Sequence, residues 1–369
     1  MSLKYLSYPA VRDVVFILGA GASYPDGVPL QNHMLPLILH DLPQIQESEI
    51  GKPVVDFIKK NFEFDERRNI YPKLEAVFGY LDYFIKQNES LDKYYDLNKL
   101  RFIRESLIKI IHYTVNLETG KKSKYYHLFW KAIEKYNSNI SIITLNYDTL
   151  LEQAFDFLFE KFGYLDYCID LMNYDKRNQF KQFNYWINPR EPVKVKTNKT
   201  PVPIKIIKLH GSLNWKYCNC CCQTLLTTWD REIDLKGGKL LGYTFPEMDK
   251  YEYVCPIDGT DFETVIIPPS YLKDINKPTK TQLFSEAARE LNRAKKIVFI
   301  GYSLPETDIH IRALLKKNLS DKTQIIVINP QKTETQKFNY YSILKTAKIY
   351  HISFEEFLDN NQLLKSILN

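Results

Sequence analysis

VVFILGAGASYPDGVPL, Val14 to Leu30, decides how this 369-residue chain is read. Apolar residues run without a break from Val14 to Leu18 and then into Gly19-Ala20-Gly21-Ala22-Ser23. A continuous apolar run predicts a strand buried on both faces, and side-chain-poor residues at its end let backbone amides come close to a ligand. A helix starting there would aim its partly positive N-terminus at the same point, which is how a phosphate is held. A tight strand-to-helix turn without a ligand has the same composition, because two glycines alone are a weak signal.

Similar Val- and Ile-rich runs recur at Ile140–Leu145, Ile204–Leu209, Ile297–Ile300, Ile325–Ile328 and Ala347–Ile352. Between them, Thr149–Leu158 and Asp308–Leu319 carry helical spacing, and Thr149-x-x-Glu152 reads as a capping box. The expected fold is therefore α/β: a Rossmann-like parallel sheet with helices on both faces, in a single domain over 1–369. Two stretches break the rhythm. Residues 31–136 read as a helical insertion, with Glu75–Ile85 and Leu97–Val115 its clearest amphipathic segments. Residues 175–261 read as a small, loop-rich, cysteine-containing module, and Lys194–Pro201 within it as a loop.

Composition narrows the function classes. The net charge is only +6, no tail of consecutive basic residues is present, and 11 of the 50 basic residues are arginine. Direct nucleic-acid binding is not expected from that pattern. No apolar run approaches the roughly 18–20 residues needed to cross a bilayer, and Met1 is not followed by a basic segment and an apolar signal core. A cytoplasmic protein without membrane contact is expected. Four of the six cysteines crowd at Cys218, Cys220, Cys221 and Cys222, which suits a metal knuckle or free thiols better than a disulfide framework.

A dinucleotide fingerprint, G-x-G-x-x-G with an acidic residue about 20 positions on, is only half present. Tyr24 stands where the third glycine belongs, and Asp41 falls in MLPLILHDL, which reads as helix. Other polar turns follow the other strands. Asn146 and Asp148 lie in Thr144-Leu145-Asn146-Tyr147-Asp148, where open α/β sheets bind ligands, although such residues also cap helices. His210 ends the Ile204 run, and histidine exchanges protons near neutrality, although a lone histidine is more often structural. Gly301-Tyr302-Ser303-Leu304 and Ile328-Asn329 close the next two strands.

Taken in order, Gly19–Ser23, Gly27-Val28-Pro29, Thr144–Asp148, His210-Gly211, Gly301–Leu304 and Ile328-Asn329 resemble the sirtuin signatures over almost the whole chain. The resemblance is closest to a divergent bacterial branch similar to NAD+-hydrolysing anti-phage defence proteins. It implies an NAD+ site lined by Gly19, Ala20, Gly21, Ala22, Ser23 and Gly301, with Ser303 at phosphate and Asn329 at the adenine ribose. It also implies that Asn146 orders a water or the ribose, that Asp148 holds the nicotinamide carboxamide and that His210 is the base.

Where deacylases continue after Gly-Val-Pro with an acidic residue, an aromatic and an arginine, this chain reads Leu30-Gln31-Asn32-His33. The resemblance therefore implies an NAD+ glycohydrolase that releases ADP-ribose and nicotinamide and depletes NAD+ in anti-phage defence. A deacylase and a non-catalytic NAD+ or ADP-ribose sensor are the alternatives. Control by homo-oligomer formation, or by a partner defence protein such as an ATPase, is expected. The family's zinc ribbon is matched by Cys218, Cys221, Cys255 and Asp258, with aspartate in place of a fourth cysteine. Free thiols are the other reading of that stretch.

Overall fold

The computed structural model describes residues 3–155, 165–172, 194–196, 202–227, 231–243, 247, 249–270 and 278–369. The end of the expected helix beyond Phe155, the start of the 175–261 module and most of the Lys194–Pro201 loop lie outside the described residues. The chain forms two compact units: Met1–Val28, Lys121–Gly211 and Asn276–Asn369 make the first, Pro29–Gly120 and Ser212–Ile275 the second.

Unit one is built on a seven-stranded sheet. Its strands are β1 (Arg12–Leu18), β2 (Ile140–Thr144), β3 (Leu165–Asp166), β4 (Ile204–Lys208), β5 (Ala294–Ile300), β6 (Gln324–Ile328) and β7 (Lys348–Tyr350). They run in the order β7-β6-β5-β1-β2-β4-β3, and every pairing is parallel. The continuous apolar runs are buried as their composition predicts: Val14 through Leu18 and Ile297 through Ile300 are all core residues. The chain moves from β1 outward on one side and returns to its other side with β5, which makes the β1/β5 boundary the topological switch point.

Helices cover the sheet. Pro278–Asn292 packs on β1, β4 and β5, and Asn361–Leu368 packs on β1 and on Lys124–Tyr136. Phe16 of β1 meets Phe129 of Lys124–Tyr136 edge-on, with ring centroids 5.0 Å apart. At the strands' amino ends, Glu290 of Pro278–Asn292 accepts bonds from Arg12 Nε at 2.8 Å, Lys205 Nζ at 2.8 Å and Ser141 Oγ at 2.6 Å. Burial pushes the Glu290 carboxyl up, but the cations Lys205 and Arg12 outweigh it and hold it below its usual range.

One local expectation fails. The Thr149 side chain accepts no backbone N–H of the helix Leu150–Gln153, so the capping box is absent. Lys208 Nζ holds the Glu152 carboxylate at 2.8 Å, and Thr149 Oγ1 accepts from Gln153 Nε2 at 2.9 Å. A buried ion pair outweighs a surface-type cap here.

Unit two joins helices Gly51–Asn61, Leu74–Gln87 and Leu97–Leu117 to two three-stranded sheets. One orders Glu263–Ile266, Gly211–Tyr217 and Thr224–Leu226; the other orders Lys250–Glu252, Leu240–Tyr243 and Glu232–Ile233. The cysteine region is thus more regular than its polar composition suggested. Helix Leu97–Leu117 contacts both sheets, and its buried His112 Nε2 meets the Arg231 carbonyl at 2.6 Å. Burial lowers the His112 imidazole to about 3, so that bond is made by a neutral ring whose nitrogen donates. Segment Leu37–Asp41 is a π-helical turn continuing Gln31–Pro36, which removes Asp41 as a ribose ligand.

Among the described residues no helix is long and apolar enough to cross a membrane.

Candidate functional site

After β1 the chain makes two short 3-10 turns, Ala20–Ala22 and Tyr24–Asp26, and no helix starts there. The cause is the turn that follows β5. Gly19 N donates to Ile300 O at 3.0 Å, and Gly21 N donates to Gly301 O at 2.9 Å. Gly301 sits at φ +60°, where a Cβ would stand 2.4 Å from Ala22 N, and a Cβ on Gly21 would stand 2.8 Å from Gly301 Cα. The glycines let two loops lie backbone against backbone at the switch point.

Most amides of this first turn are used within the protein. The Gly21 amide is committed to Gly301, and the amides of Ala22 and Ser23 close the 3-10 turn on Gly19 and Ala20. The amides of Tyr302 and Ser303 meet no acceptor among the described residues, and the Ser303 side chain is exposed. The Ala20 amide of the first turn likewise meets no backbone acceptor among the described residues.

Asn146, two residues beyond β2, is held from below. Its Nδ2 donates to Gly19 O and to Ser23 Oγ, each at 3.0 Å. Among the described residues no donor meets its Oδ1. Ser23 Oγ lies 2.9 Å from the Tyr126 hydroxyl, and burial, with Asp148 adding to it, keeps that phenol protonated by pushing it well up. Asp148 is 3% exposed; its Oδ1 accepts from Leu150 N at 3.1 Å, the turn-capping role open from the sequence. Its Oδ2 meets no donor among the described residues. Asn146 and Asp148 are buried as residues, yet neither oxygen is an enclosed orphan, so each keeps acceptor capacity for a water or a ligand.

Asp26 and Ser123 were not legible as site residues. Ser123 Oγ donates to Asp26 Oδ2 at 2.6 Å while capping helix Lys124–Tyr136 through Tyr126 N. Burial raises the Asp26 carboxyl, and the nearby Asp148 carboxylate adds to that despite the Ser123 bond.

His210 follows β4, and its Nε2 lies 3.0 Å from Nε2 of His310. Tyr147 packs beside the ring at 6.4 Å between centroids; burial raises its phenol, and Asp308 adds to the shift. Asp308 Oδ2 accepts from the Tyr302 hydroxyl at 2.8 Å. Through these contacts the loops bearing Gly21, Asn146, His210 and Ser303 come together at one end of the sheet. Asn329 is the exception in chemistry: its Oδ1 accepts from Gln331 N and its Nδ2 donates to the Tyr340 hydroxyl, both at 3.1 Å. Asp308-x-His310 at the start of Ile309–Asn318 was a signal available in the sequence. Tyr126 and Ser123 offered none.

Unit two gathers the other predicted set. Donor atoms of Cys218, Cys221, Cys255 and Asp258 all lie within 4.8 Å of one another. Cys221 Sγ is 3.7 Å from Cys255 Sγ, and Cys218 Sγ is 3.3 Å from Asp258 Oδ2. Tetrahedral zinc with bonds of about 2.3 Å to sulfur and 2.0–2.2 Å to oxygen spaces its donors roughly 3.5–3.8 Å apart, so these residues fit the ion. Cys220 and Cys222 are exposed and outside the set.

The family model for the SIR2-like domain matches residues 140–352. The chain belongs to this sirtuin-like family. Among solved structures, one described as "Sir2-p53 peptide-NAD+" is 15% identical, with a TM-score of 0.45, over 95% of this chain and 91% of that one. Another, a Sir2 homolog–NAD complex, is 15% identical, with a TM-score of 0.45, over 97% of this chain and 91% of that one. No curated protein matches the chain. In this SIR2-like protein the family match runs from β2 to beyond β7 and takes in Asn146, Asp148, His210, Ser303 and Asn329.

Proposed function

We propose that this SIR2-like protein is an NAD+ glycohydrolase that converts NAD+ and water to ADP-ribose, nicotinamide and a proton. The observation that carries the reading is the convergence, at the switch point, of Asn146 Oδ1 and Asp148 Oδ2, which meet no donor among the described residues, with the His210 loop and the amides of Tyr302 and Ser303, which meet no acceptor among them. Gly19, Ala20, Gly21, Ala22, Ser23 and Gly301 form the small-residue wall beside the dinucleotide, and Tyr302 and Ser303 amides take the pyrophosphate. Asn329 has one Nδ2 hydrogen and one Oδ1 lone pair beyond its present bonds to offer the adenine ribose.

Chemically the task is light on covalent work. Nicotinamide leaves from a cationic N-glycoside, so the protein must support an oxocarbenium-like carbon and deliver water to it. Asp148 Oδ2 accepts a carboxamide N–H of nicotinamide, Asn146 Oδ1 orients the water or a ribose hydroxyl, and His210 takes the proton. Zinc held by Cys218, Cys221, Cys255 and Asp258 would be a structural clamp on the hairpins of unit two, since four protein donors leave it no open position. Use in bacterial anti-phage defence by NAD+ depletion is the role the sequence resemblance supports, in the cytoplasm, with homo-oligomer formation or a partner defence protein such as an ATPase restraining a toxic activity.

The test is nicotinamide release from NAD+ by the full chain with no peptide present. Release is expected, and Asn146→Ala and His210→Ala are each expected to lower it by about 10²–10³-fold or more. Release only in the presence of an acetylated peptide would make the protein a deacylase; binding of NAD+ without release in any assembly state would make it a sensor. Metal analysis of the purified protein should find zinc, with one equivalent lost in Cys255→Ser.

A further inference from the structure

Asp308 and His310 stand beside the proposed base and have no part in the hydrolysis described above. With His210 they place two imidazole nitrogens and a carboxylate oxygen within 4.8 Å of one another, all in unit one. The Nε2 atoms of His210 and His310 are 3.0 Å apart. Two imidazoles bonded to one cation at about 2.1 Å and at right angles have that same separation. The carboxylate is oriented by the Tyr302 hydroxyl, 2.8 Å from Asp308 Oδ2, and the rings are flanked by Tyr147 on the His210 side and Phe284 on the His310 side. Such outer partners are what fix metal-ligating side chains in place.

We propose that His210, Asp308 and His310 bind one divalent transition-metal ion, and that filling this site withdraws His210 from proton transfer. Two nitrogens and a carboxylate are the donor set of zinc-class ions, and three protein donors leave positions for water, unlike the four-donor cysteine set. Without metal, the two Nε2 atoms lie at hydrogen-bond distance; a cation would take the place of the proton between them, with a carboxylate oxygen of Asp308 within 4.8 Å as the third donor. One lone pair on His210 Nε2 cannot both hold a metal and accept a proton, so the ion competes with catalysis. That second half rests on the proposed hydrolysis; the binding does not.

Binding is measured on the metal-free full chain with Co2+ as the probe and no NAD+ present. The native protein is expected to bind one more Co2+ than His310→Gln, with a visible band missing from the variant. The thiolate absorption in the near ultraviolet, from the cysteine cluster, should be the same in both. Asp308→Asn should retain the site with affinity weakened about 10–100-fold. His310 is half-exposed, so His310→Gln is expected to unfold at the native temperature, which the same samples check. Equal stoichiometry and an identical visible band in native protein and His310→Gln would overturn the site. In a second arm, nicotinamide release by the native protein should fall as Co2+ is added, while whatever release His310→Gln retains should not respond. Undiminished release with the site filled would overturn the competition. No release from the metal-free native protein would instead count against the hydrolysis alone.

Discussion

The two ends of the unit-one sheet handle buried polar groups in opposite ways. At the amino ends of the strands, Glu290 is surrounded by Arg12, Lys205 and Ser141, and Lys205 also reaches Glu286 at 2.8 Å. The charges there answer one another. At the carboxyl ends, Asn146 and Asp148 each satisfy part of their bonding inside the protein and leave one oxygen without a donor among the described residues. A closed network adds to stability only as a set, whereas an open one keeps bonding capacity for something that arrives. Parallel pairing explains why the two are separated, because every strand points its loop toward the same edge.

The largest expected effect breaks the closed end. Glu290→Ala strands Arg12 and Lys205 in the interior and should cost about 3–5 kcal/mol of unfolding free energy, read by chemical denaturation. At the open end, Gly301→Ala adds a Cβ at φ +60° where Ala22 N already stands 2.4 Å from it. A loss of about 2–4 kcal/mol is expected, with weaker NAD+ binding by calorimetry. A loss under about 1 kcal/mol would mean that the two turns are not pressed together.

The smallest effect is the one that best sharpens the contrast. Glu290 is held below its usual range in the folded protein, so its contribution is present above the unfolded carboxyl value and is lost as pH falls through the folded one. Asp26 is raised, so its contribution is present below the unfolded value and is lost as pH rises through the folded one. Glu290→Gln should therefore be destabilising at pH 7, and its deficit should shrink on acidification. Asp26→Asn should be neutral or stabilising at pH 7, with that gain fading as pH falls. Thermal midpoints at pH 7 and pH 4 decide it; deficits of the same sign and pH trend in both variants would remove the distinction between the edges.

Much of unit one was open to reading from local pattern. Val14–Leu18, Ile140–Leu145, Ile204–Leu209, Ile297–Ile300 and Ile325–Ile328 are strands of the sheet within a residue or a few of where their apolar runs place them. Continuous apolarity has one cheap outcome, burial on both faces of a parallel sheet. Leu165–Asp166 was missed because two residues carry no period. Unit two was harder. The helices Leu74–Gln87 and Leu97–Leu117 follow their spacing, but Thr224–Leu226, Glu232–Ile233, Leu240–Tyr243 and Lys250–Glu252 are two to four residues long and carry too little period to read.

By itself the sequence determined the order of the chemistry: small residues after β1, Asn146 and Asp148 after β2, His210 after β4, Ser303 after β5, and four metal-type donors between Cys218 and Asp258. Those follow from strand ends and ligand spacing, which are local. Only the tertiary structure decided which atoms remain available. It committed the Gly21 amide to Gly301, left Asn146 Oδ1 and Asp148 Oδ2 without a donor among the described residues, and brought His310 to within 3.0 Å of His210 across 100 residues of chain. Hydrogen-bond satisfaction is a property of neighbours in space, and no spacing along the chain encodes it.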